Sequence, residues 1–288
     1  MNLKVKGIIG ILVVALCLTL LSCLKPGEPK LLVAGIGVSD LESATDFYTR
    51  VVGMKVKHRI KHQTIDEVVL EFESGKGSDV SLMHYTDDSN PNYANNPVKL
   101  VFYVPDANAF AQALKDDGRT IITWPVVQPL FGNVVVGMAR DRDGYLLEIV
   151  EDKTTTIPYL GAIGIGVSDL NASADFYTRV MGMQEKYRLT VPYFMKEVIL
   201  EFESGKGSGV VLMNYFARKN YKNLPVKLVY AVTSPLETIT AIGNENLEII
   251  LKPSPKFNPF NVGLARDPDG YLLEILQAVE EVKKDVRQ

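Results

Sequence analysis

The chain has 288 residues, enough for about two domains of ordinary size, and its 47% hydrophobic content excludes a disordered or fibrous protein. Its 31 basic and 34 acidic residues give a net charge of −3, so there is no basic excess to neutralise a phosphate backbone, and nucleic-acid binding is not expected. Two cysteines can build neither a disulfide framework nor a thiolate zinc site. The three histidines, His58, His62 and His84, all lie in the first third.

The first 22 residues predict a secretory signal rather than a folded element. Two lysines precede an unbroken apolar run from Ile8 to Leu21, which is shorter than the roughly 20 residues that span a bilayer. The run ends in Leu-Leu-Ser-Cys, which resembles the lipobox of bacterial lipoproteins and implies cleavage before Cys23 and lipidation of its thiol. Residues 23–30 would then tether the folded part to a lipid bilayer of the cell envelope. In a host with two membranes we expect the periplasmic face of the outer one.

The rest of the chain consists of two copies of one unit. The motifs GIGVSDL, FYTRV, EFESGKGS, PVKLV and DGYLLEI each occur twice, in the same order and at offsets of 126 to 130 residues. Small changes in offset with a preserved order indicate insertions and deletions in the loops of a duplicated domain. We place the copies at 31–152 and 158–280, followed by a charged tail at 281–288.

Each copy alternates strands and helices. A short apolar strand at 31–38 is followed by apolar residues at helical spacing over 41–52, where Ser39 and Glu42 have the spacing of a capping box. Three strands follow, at 54–60, 67–73 and 79–85. The same β-α-β-β-β pattern returns from 98 to 150, so the modules of the first copy lie at about 31–86 and 97–152. The sequence therefore predicts an α+β fold of four βαβββ modules.

The motifs GVSDLESATDFYTRVVGM, VKLVFYVPD and ARDRDGYLLEI, with their second-copy counterparts, resemble glyoxalase-like domains of the vicinal oxygen chelate superfamily. The resemblance covers essentially the whole mature chain and implies two tandem domains of this class. It also implies that paired modules curl their sheets into a cup, in which a divalent metal chelates vicinal oxygens of the substrate.

The resemblance implies four metal-ligand positions in each copy, and this sequence departs from the family at three of them. The four positions hold Val33, Ser81, Lys99 and Glu148 in the first copy, and Ala162, Val211, Lys227 and Glu274 in the second. Valine and alanine carry no lone pair, and a lysine binds metal only after losing a proton of pKa about 10.4. One carboxylate alone does not hold a metal tightly, so we expect no metal cofactor.

An ion pair between Lys99 and Glu148, repeated as Lys227 and Glu274, is predicted where the metal would be. Strand alternation puts Tyr103 on the same face as Lys99, and the resemblance implies that this face looks into the cup. The alternative is that each lysine extends to solvent. The cup-face glycines of the first strand, including Gly35, either leave room for a ligand or permit close backbone packing.

The remaining polar residues are assigned lesser roles. His58 and His62 are expected to be solvated, and His84 to be structural, because asparagine replaces it in the second copy. Glu71 and its counterpart Glu201 either border the cup or are exposed charges at a sheet edge.

Three functions are compatible with these residues. The first is a lipid-anchored, metal-free protein that binds a small polar or aromatic ligand; the residues involved would be Lys99, Tyr103, Glu148, Lys227 and Glu274. The second is a glyoxalase or lactoylglutathione-lyase-like enzyme that uses Glu148 or Glu274 as a general base. The third is a structural or partner-binding module whose cups are filled by side chains. Fold alone cannot choose among them, and the sequence leaves the ligand and the oligomeric state open.

Overall fold

The structure is a computed structural model that describes residues 27–89, 91–129, 132–217, 221, 224–254 and 261–278. Within these residues the chain forms sixteen strands and four helices, arranged as four successive β-α-β-β-β modules. The predicted α+β fold of four modules is therefore confirmed. The predicted signal peptide at 1–22, Cys23 and the charged tail at 281–288 lie outside the described residues.

The first copy contains eight strands and two helices. They are β1 (Lys30–Gly37), α1 (Leu41–Arg50), β2 (Lys55–Lys61), β3 (Ile65–Glu71), β4 (Asp79–Tyr85), β5 (Val98–Val104), α2 (Ala107–Asp116), β6 (Ile121–Gln128), β7 (Val134–Arg140) and β8 (Leu146–Glu151). The second copy repeats them as β9 (Tyr159–Gly166), α3 (Leu170–Arg179), β10 (Gln184–Val191), β11 (Met195–Glu201), β12 (Gly209–Tyr215), β13 (Val226–Val232), α4 (Pro235–Asn244), β14 (Ile249–Leu251), β15 (Gly263–Arg266) and β16 (Leu272–Gln277).

The helices begin at short polar caps and bury one apolar face. In α1 the cap is Asp40, whose carboxylate accepts a hydrogen bond of 3.0 Å from the backbone N–H of Ser43. The predicted capping box of Ser39 and Glu42 is therefore wrong: the helix cap is Asp40, one residue after Ser39, and Glu42 forms an ion pair of 2.6 Å with the guanidinium of Arg59. Phe47 and neighbouring side chains of the helix are buried against the sheet.

The strands form two eight-stranded sheets, and each sheet takes one module from each copy. Sheet I has the order β14-β15-β16-β13-β1-β4-β3-β2, and sheet II has the order β10-β11-β12-β9-β5-β8-β7-β6. The copies meet where β1 pairs antiparallel with β13 and where β5 pairs antiparallel with β9. The sheets therefore do not follow the two sequence copies, and any site on a sheet combines residues from both.

The two modules of one copy remain joined by a buried tyrosine–aspartate contact. The hydroxyl of Tyr48 on α1 donates to Asp141 at 2.8 Å, and that of Tyr177 on α3 donates to Asp267 at 2.7 Å. Burial raises the pKa of Asp141 to about 6 and that of Asp267 to about 7, against the hydrogen bonds that favour their ionised forms. These carboxyl groups therefore titrate near neutral pH.

A second junction joins the two sheets through the repeated EFESGKGS motif. Ser78 and Ser208 are related by the duplication, and each donates its backbone N–H to the other's hydroxyl at 2.9 Å. Gly77 has a φ of 71° and approaches the carbonyl of Leu160 so closely that a Cβ would lie 2.0 Å from its oxygen. Only glycine fits there, so the near identity of this motif in both copies has a structural cause.

The end of the predicted tether is attached to the folded part. The N–H of Gly27 donates to the carbonyl of Ala278 at 3.0 Å, and Glu28 forms an ion pair with Lys206 at 2.7 Å. Lys30 is already the first residue of β1. Residues 27–30 thus belong to the fold.

Across the described part of the chain, no helix is long and apolar enough to span a bilayer.

Candidate functional site

Lys99 lies on β5 between two carboxylates on the face of sheet II that carries no helix. Its ammonium nitrogen is 2.7 Å from Glu148 Oε2, on the neighbouring strand β8, and 2.8 Å from Glu197 Oε1, on β11. The ion pair predicted between Lys99 and Glu148 is therefore present in the structure. The second carboxylate was not predicted. We call Lys99, Glu148 and Glu197 the Lys99 triad.

The same arrangement occurs on the helix-free face of sheet I. The ammonium nitrogen of Lys227 lies 3.0 Å from both oxygens of Glu67 and 3.3 Å from Glu274 Oε2. The hydroxyl of Ser81 donates to Glu67 at 2.8 Å, so the carboxylate that was not predicted is held from two sides. The pair predicted between Lys227 and Glu274 is present. Lys227, Glu67 and Glu274 form the Lys227 triad.

Five of the six charged groups in the two triads are buried, and Glu148 is partly exposed. Burial alone would lower the pKa of each lysine, but the paired glutamates outweigh it and raise both lysine pKa values above their usual range. Burial would likewise raise the pKa of Glu67, and Lys227 together with the Ser81 hydrogen bond holds it below its usual range. Each triad combines one ammonium with two carboxyl groups, which gives a formal charge of −1 when both are ionised.

The first-strand glycines make room for the lysine side chains. Gly164 on β9 is the register partner of Lys99, and a Cβ on it would lie 2.4 Å from Lys99 Cγ. Gly35 on β1 is the register partner of Lys227, where a Cβ would lie 3.1 Å from the lysine Cβ. Of the two explanations offered by the sequence, close packing is the one that the structure supports.

The residues at the family's metal-ligand positions meet in the structure, and they do not fit a divalent metal. On sheet I, Ser81 of the first copy and Lys227 of the second share Gly35 as their register partner, so ligand positions from both copies meet at this point of the sheet. A protonated lysine occupies that point between the carboxylates. Within the described residues, no group of three or more histidine, cysteine, aspartate or glutamate side chains is placed to hold a metal ion.

Tyr103 lies in a small pocket on the same face as Lys99. Its ring stacks on that of Tyr159 with centroids 5.2 Å apart, and the pocket between them and Glu201 has a volume of about 220 Å³. A Cβ on Gly161 would lie 2.2 Å from the Tyr103 ring, so glycine is needed there. Burial and then the charges of Glu148 and Glu201 raise the pKa of Tyr103. Its ligand-binding role remains a prediction.

The second glutamate of each triad could have been found from the sequence repeat, although it was assigned no role from the sequence. Glu67 and Glu197 precede the EFES motif by four residues in both copies, with the parity that puts them on the face of Glu71 and Glu201. His84 has the expected local role, because its Nδ1 lies 2.9 Å from the carbonyl oxygen of Val38.

Two larger clefts lie outside the triads. They have volumes of about 580 Å³ and 550 Å³ and are lined around Ser39 with Arg142 and around Ser168 with Arg188, respectively. Neither cleft is lined by a residue of the two triads, so cleft volume alone does not identify the candidate site.

Comparison with known proteins identifies the family. The model of the glyoxalase/bleomycin resistance protein/dioxygenase superfamily matches residues 30–149 and 159–275. The chain belongs to this superfamily. It is 22% identical over 280 residues to a lactoylglutathione lyase of Oryza sativa subsp. japonica, which covers 90% of this chain and 93% of that protein. A lactoylglutathione lyase of Arabidopsis thaliana is 24% identical over 161 residues, 54% of this chain and 56% of that protein.

Solved structures of the superfamily share the fold. Glyoxalase I from Zea mays superimposes with a TM-score of 0.69 at 21% identity, covering 87% of this chain and 92% of that one. A putative dioxygenase from Bacillus subtilis superimposes with a TM-score of 0.63 at 14% identity, covering 88% of this chain and 86% of that one. At these identities the likeness shows the fold and leaves the chemistry to the residues of this chain.

Proposed function

We propose that this superfamily member binds a small organic molecule on the helix-free face of sheet II, without a metal at the family's ligand positions. The observation that carries the proposal is the Lys99 triad, in which an ammonium is held between two carboxylates at 2.7 Å and 2.8 Å. Such a group supplies fixed, oriented charges at the base of the site without a metal ion.

Sheet II is the better candidate of the two because its triad is more accessible. The Glu148 side chain is 18% exposed, whereas that of Glu274 is 1% exposed. Around Lys99 the same face is apolar, with Val101, Val211 and Met213 packed in one cluster. An apolar surface with a few oriented polar groups is typical of a small-molecule site.

The relatives named lactoylglutathione lyases suggest catalysis as the alternative, with Glu148 or Glu274 as the general base. In this chain each of these carboxylates is engaged by a lysine ammonium, and Glu274 is nearly inaccessible to solvent. A base must reach the proton that it removes, so the geometry supports binding better than catalysis. A partner-binding scaffold remains the third candidate.

A thermal-shift screen of the full chain in detergent, with and without a chelator, tests these functions against each other. A ligand at one hundred times its Kd should stabilise the protein by about 2.7 kcal/mol, with and without chelator. Tyr103→Leu should abolish this shift, and Tyr193→Leu, at a turn residue that is 94% exposed, should not. Turnover in a lactoylglutathione lyase assay would replace the proposal with catalysis, and a library without any ligand would favour the scaffold.

We also propose that the protein is held at the cell envelope by a lipid on Cys23. The apolar run of the first 22 residues and the Leu-Leu-Ser-Cys sequence support this proposal. In cells fed labelled palmitate, the wild-type protein should carry label and sediment with membranes, and Cys23→Ser should lose both. A Cys23→Ser protein that keeps label and membrane association would contradict the lipid anchor.

A further inference from the structure

The duplicated chain places different residues on sheet I at positions that line the pocket beside Tyr103 on sheet II. The duplication places Ala231 where sheet II has Tyr103, so the stacked pair of tyrosines is missing there. It also places Asp79 where sheet II has Gly209. On sheet I, Lys57 fills the position between the carboxylates with ion pairs of 2.8 Å to Glu71 and 3.0 Å to Asp79.

On sheet II the corresponding carboxylate, Glu201, has lost its lysine. The counterpart of Lys57 is Lys186, whose ammonium is hydrogen-bonded to Gln184 at 2.9 Å instead. Within the described part of the chain, neither the carboxylate of Glu201 nor the hydroxyl of Tyr103 makes a hydrogen bond or an ion pair. The pocket therefore presents the solvent-exposed carboxylate of Glu201 and the hydroxyl of Tyr103 to a ligand.

The electrostatic surroundings of the pocket favour a positive ligand. The carboxylates of Glu148, Glu201 and Asp152 raise the pKa of Tyr103, and Lys99 opposes them. Lys99 is already satisfied by its own two glutamates, and Lys206 on the pocket wall is paired with Glu28 at 2.7 Å. An anionic ligand would thus meet surplus negative charge near Tyr103, and the ammonium groups of Lys99 and Lys206 are already paired. The ammonium of Lys76, over the Tyr159 ring, is a further cation beside the pocket.

The aromatic pair is suited to the same kind of ligand. The ammonium of Lys76 already lies 5.4 Å from the centroid of the Tyr159 ring, within the range of a cation–π interaction. A volume of about 220 Å³ is below the roughly 300 Å³ of pockets for drug-sized ligands, so it suits one ring with a short chain.

We propose that this pocket binds a small organic cation, an amine or quaternary ammonium carried on an apolar or aromatic group. The charged nitrogen lies against Glu201 and the Tyr103 hydroxyl, and the apolar group lies against the two tyrosine rings. This inference rests on the proposed binding function and names the chemical class of the ligand for sheet II. It assigns no ligand to sheet I, where Lys57 takes the place of the cation.

Three probes of similar shape and different charge test the inference by titration calorimetry of the full chain at pH 7.5. Phenethylamine is a cation, 2-phenylethanol is neutral and phenylacetate is an anion. We expect phenethylamine to bind at least tenfold more tightly than 2-phenylethanol, and phenylacetate to bind most weakly. Glu201→Gln should weaken phenethylamine about tenfold and change 2-phenylethanol less than twofold, whereas Glu71→Gln, the matched variant on sheet I, should change neither.

The outcomes separate this inference from the proposed function. Equal affinity for the three probes, or tighter binding of phenylacetate, would overturn the cation preference and leave small-molecule binding standing. An unchanged phenethylamine affinity in Glu201→Gln would overturn the site. Failure of all three probes would overturn the inference, and the library screen of the wild-type protein would then decide whether the proposed function fails with it.

Discussion

Replacement of Lys99 by methionine tests the buried triad most sharply, because it removes the charge and keeps most of the volume. Glu148 and Glu197 lie 2.7 Å and 2.8 Å from the same nitrogen, so their oxygens are no more than about 5.5 Å apart. At an effective dielectric constant of about 20, two charges at that distance repel by about 3 kcal/mol. Loss of one partner from a buried pair costs about 3–5 kcal/mol, so we expect Lys99→Met to destabilise the protein by that amount at pH 8.

Urea unfolding at pH 8 and at pH 5 measures this effect and separates it from lost packing. In Lys99→Met the repulsion raises a carboxyl pKa in the folded state, so the destabilisation should shrink at pH 5, where a proton neutralises one glutamate. Lys57→Met is the matched control, since Lys57 also bridges two carboxylates but its side chain is 31% exposed. The control should lose about 1 kcal/mol or less. Equal losses in both variants, or a loss at Lys99 that does not depend on pH, would refute the reasoning.

Three further predictions concern the fold. Burial raises the pKa of Asp267 from 3.8 to about 7, so the folded state keeps this proton while the unfolded state loses it, and the free energy of unfolding should fall by about 4 kcal/mol between pH 4 and pH 7. Asp267→Asn should flatten the wild-type decline in melting temperature over this range, and a decline parallel to that of the wild type would contradict the prediction. Gly164→Ala should cost about 1–3 kcal/mol in urea unfolding, because the new Cβ would lie 2.4 Å from Lys99 Cγ. Gly243→Ala in α4, whose Cβ would lie 3.6 Å from Ile249, should cost nothing, and equal effects of the two variants would contradict the prediction. Ser78→Ala and Ser208→Ala should each cost about 1–3 kcal/mol in urea unfolding, because each removes the acceptor of the other serine's buried backbone N–H. A cost below about 0.5 kcal/mol for either variant would count against the junction.

The lysine–glutamate pairs could be predicted because both residues of each pair lie in one module, on neighbouring strands. Strand alternation fixed the face of Lys99, and the ligand positions of the resembling family placed Glu148 beside it. The neighbouring strands β5 and β8 then bring the two side chains together by parallel pairing within one module. The duplication strengthened the prediction, since Lys227 and Glu274 repeat the combination.

The third member of each triad depends on contacts that no local pattern contains. Glu197 reaches Lys99 because β9 of the second copy pairs with β5 of the first, and β11 follows in the same sheet. A repeat shows which modules are alike, but not which module edges pair, because several antiparallel combinations satisfy the same strand alternation. The Lys57–Glu71 pair lies within one module, but whether the second copy repeats it depends on side-chain conformations that strand alternation does not fix, and there Lys186 bonds to Gln184 instead.

Metal content measured together with ligand-free stability is the most direct test of the central claim that lysine stands where the family's metal would be. The full chain should be purified without chelator, analysed by plasma mass spectrometry, and unfolded with urea before and after addition of zinc, nickel or manganese. We predict less than about one tenth of an equivalent of any of these metals and an unchanged unfolding midpoint, because a lysine ammonium paired to two carboxylates occupies the metal site on each sheet. One equivalent of tightly bound metal per chain, with stability lost on chelation, would contradict the account.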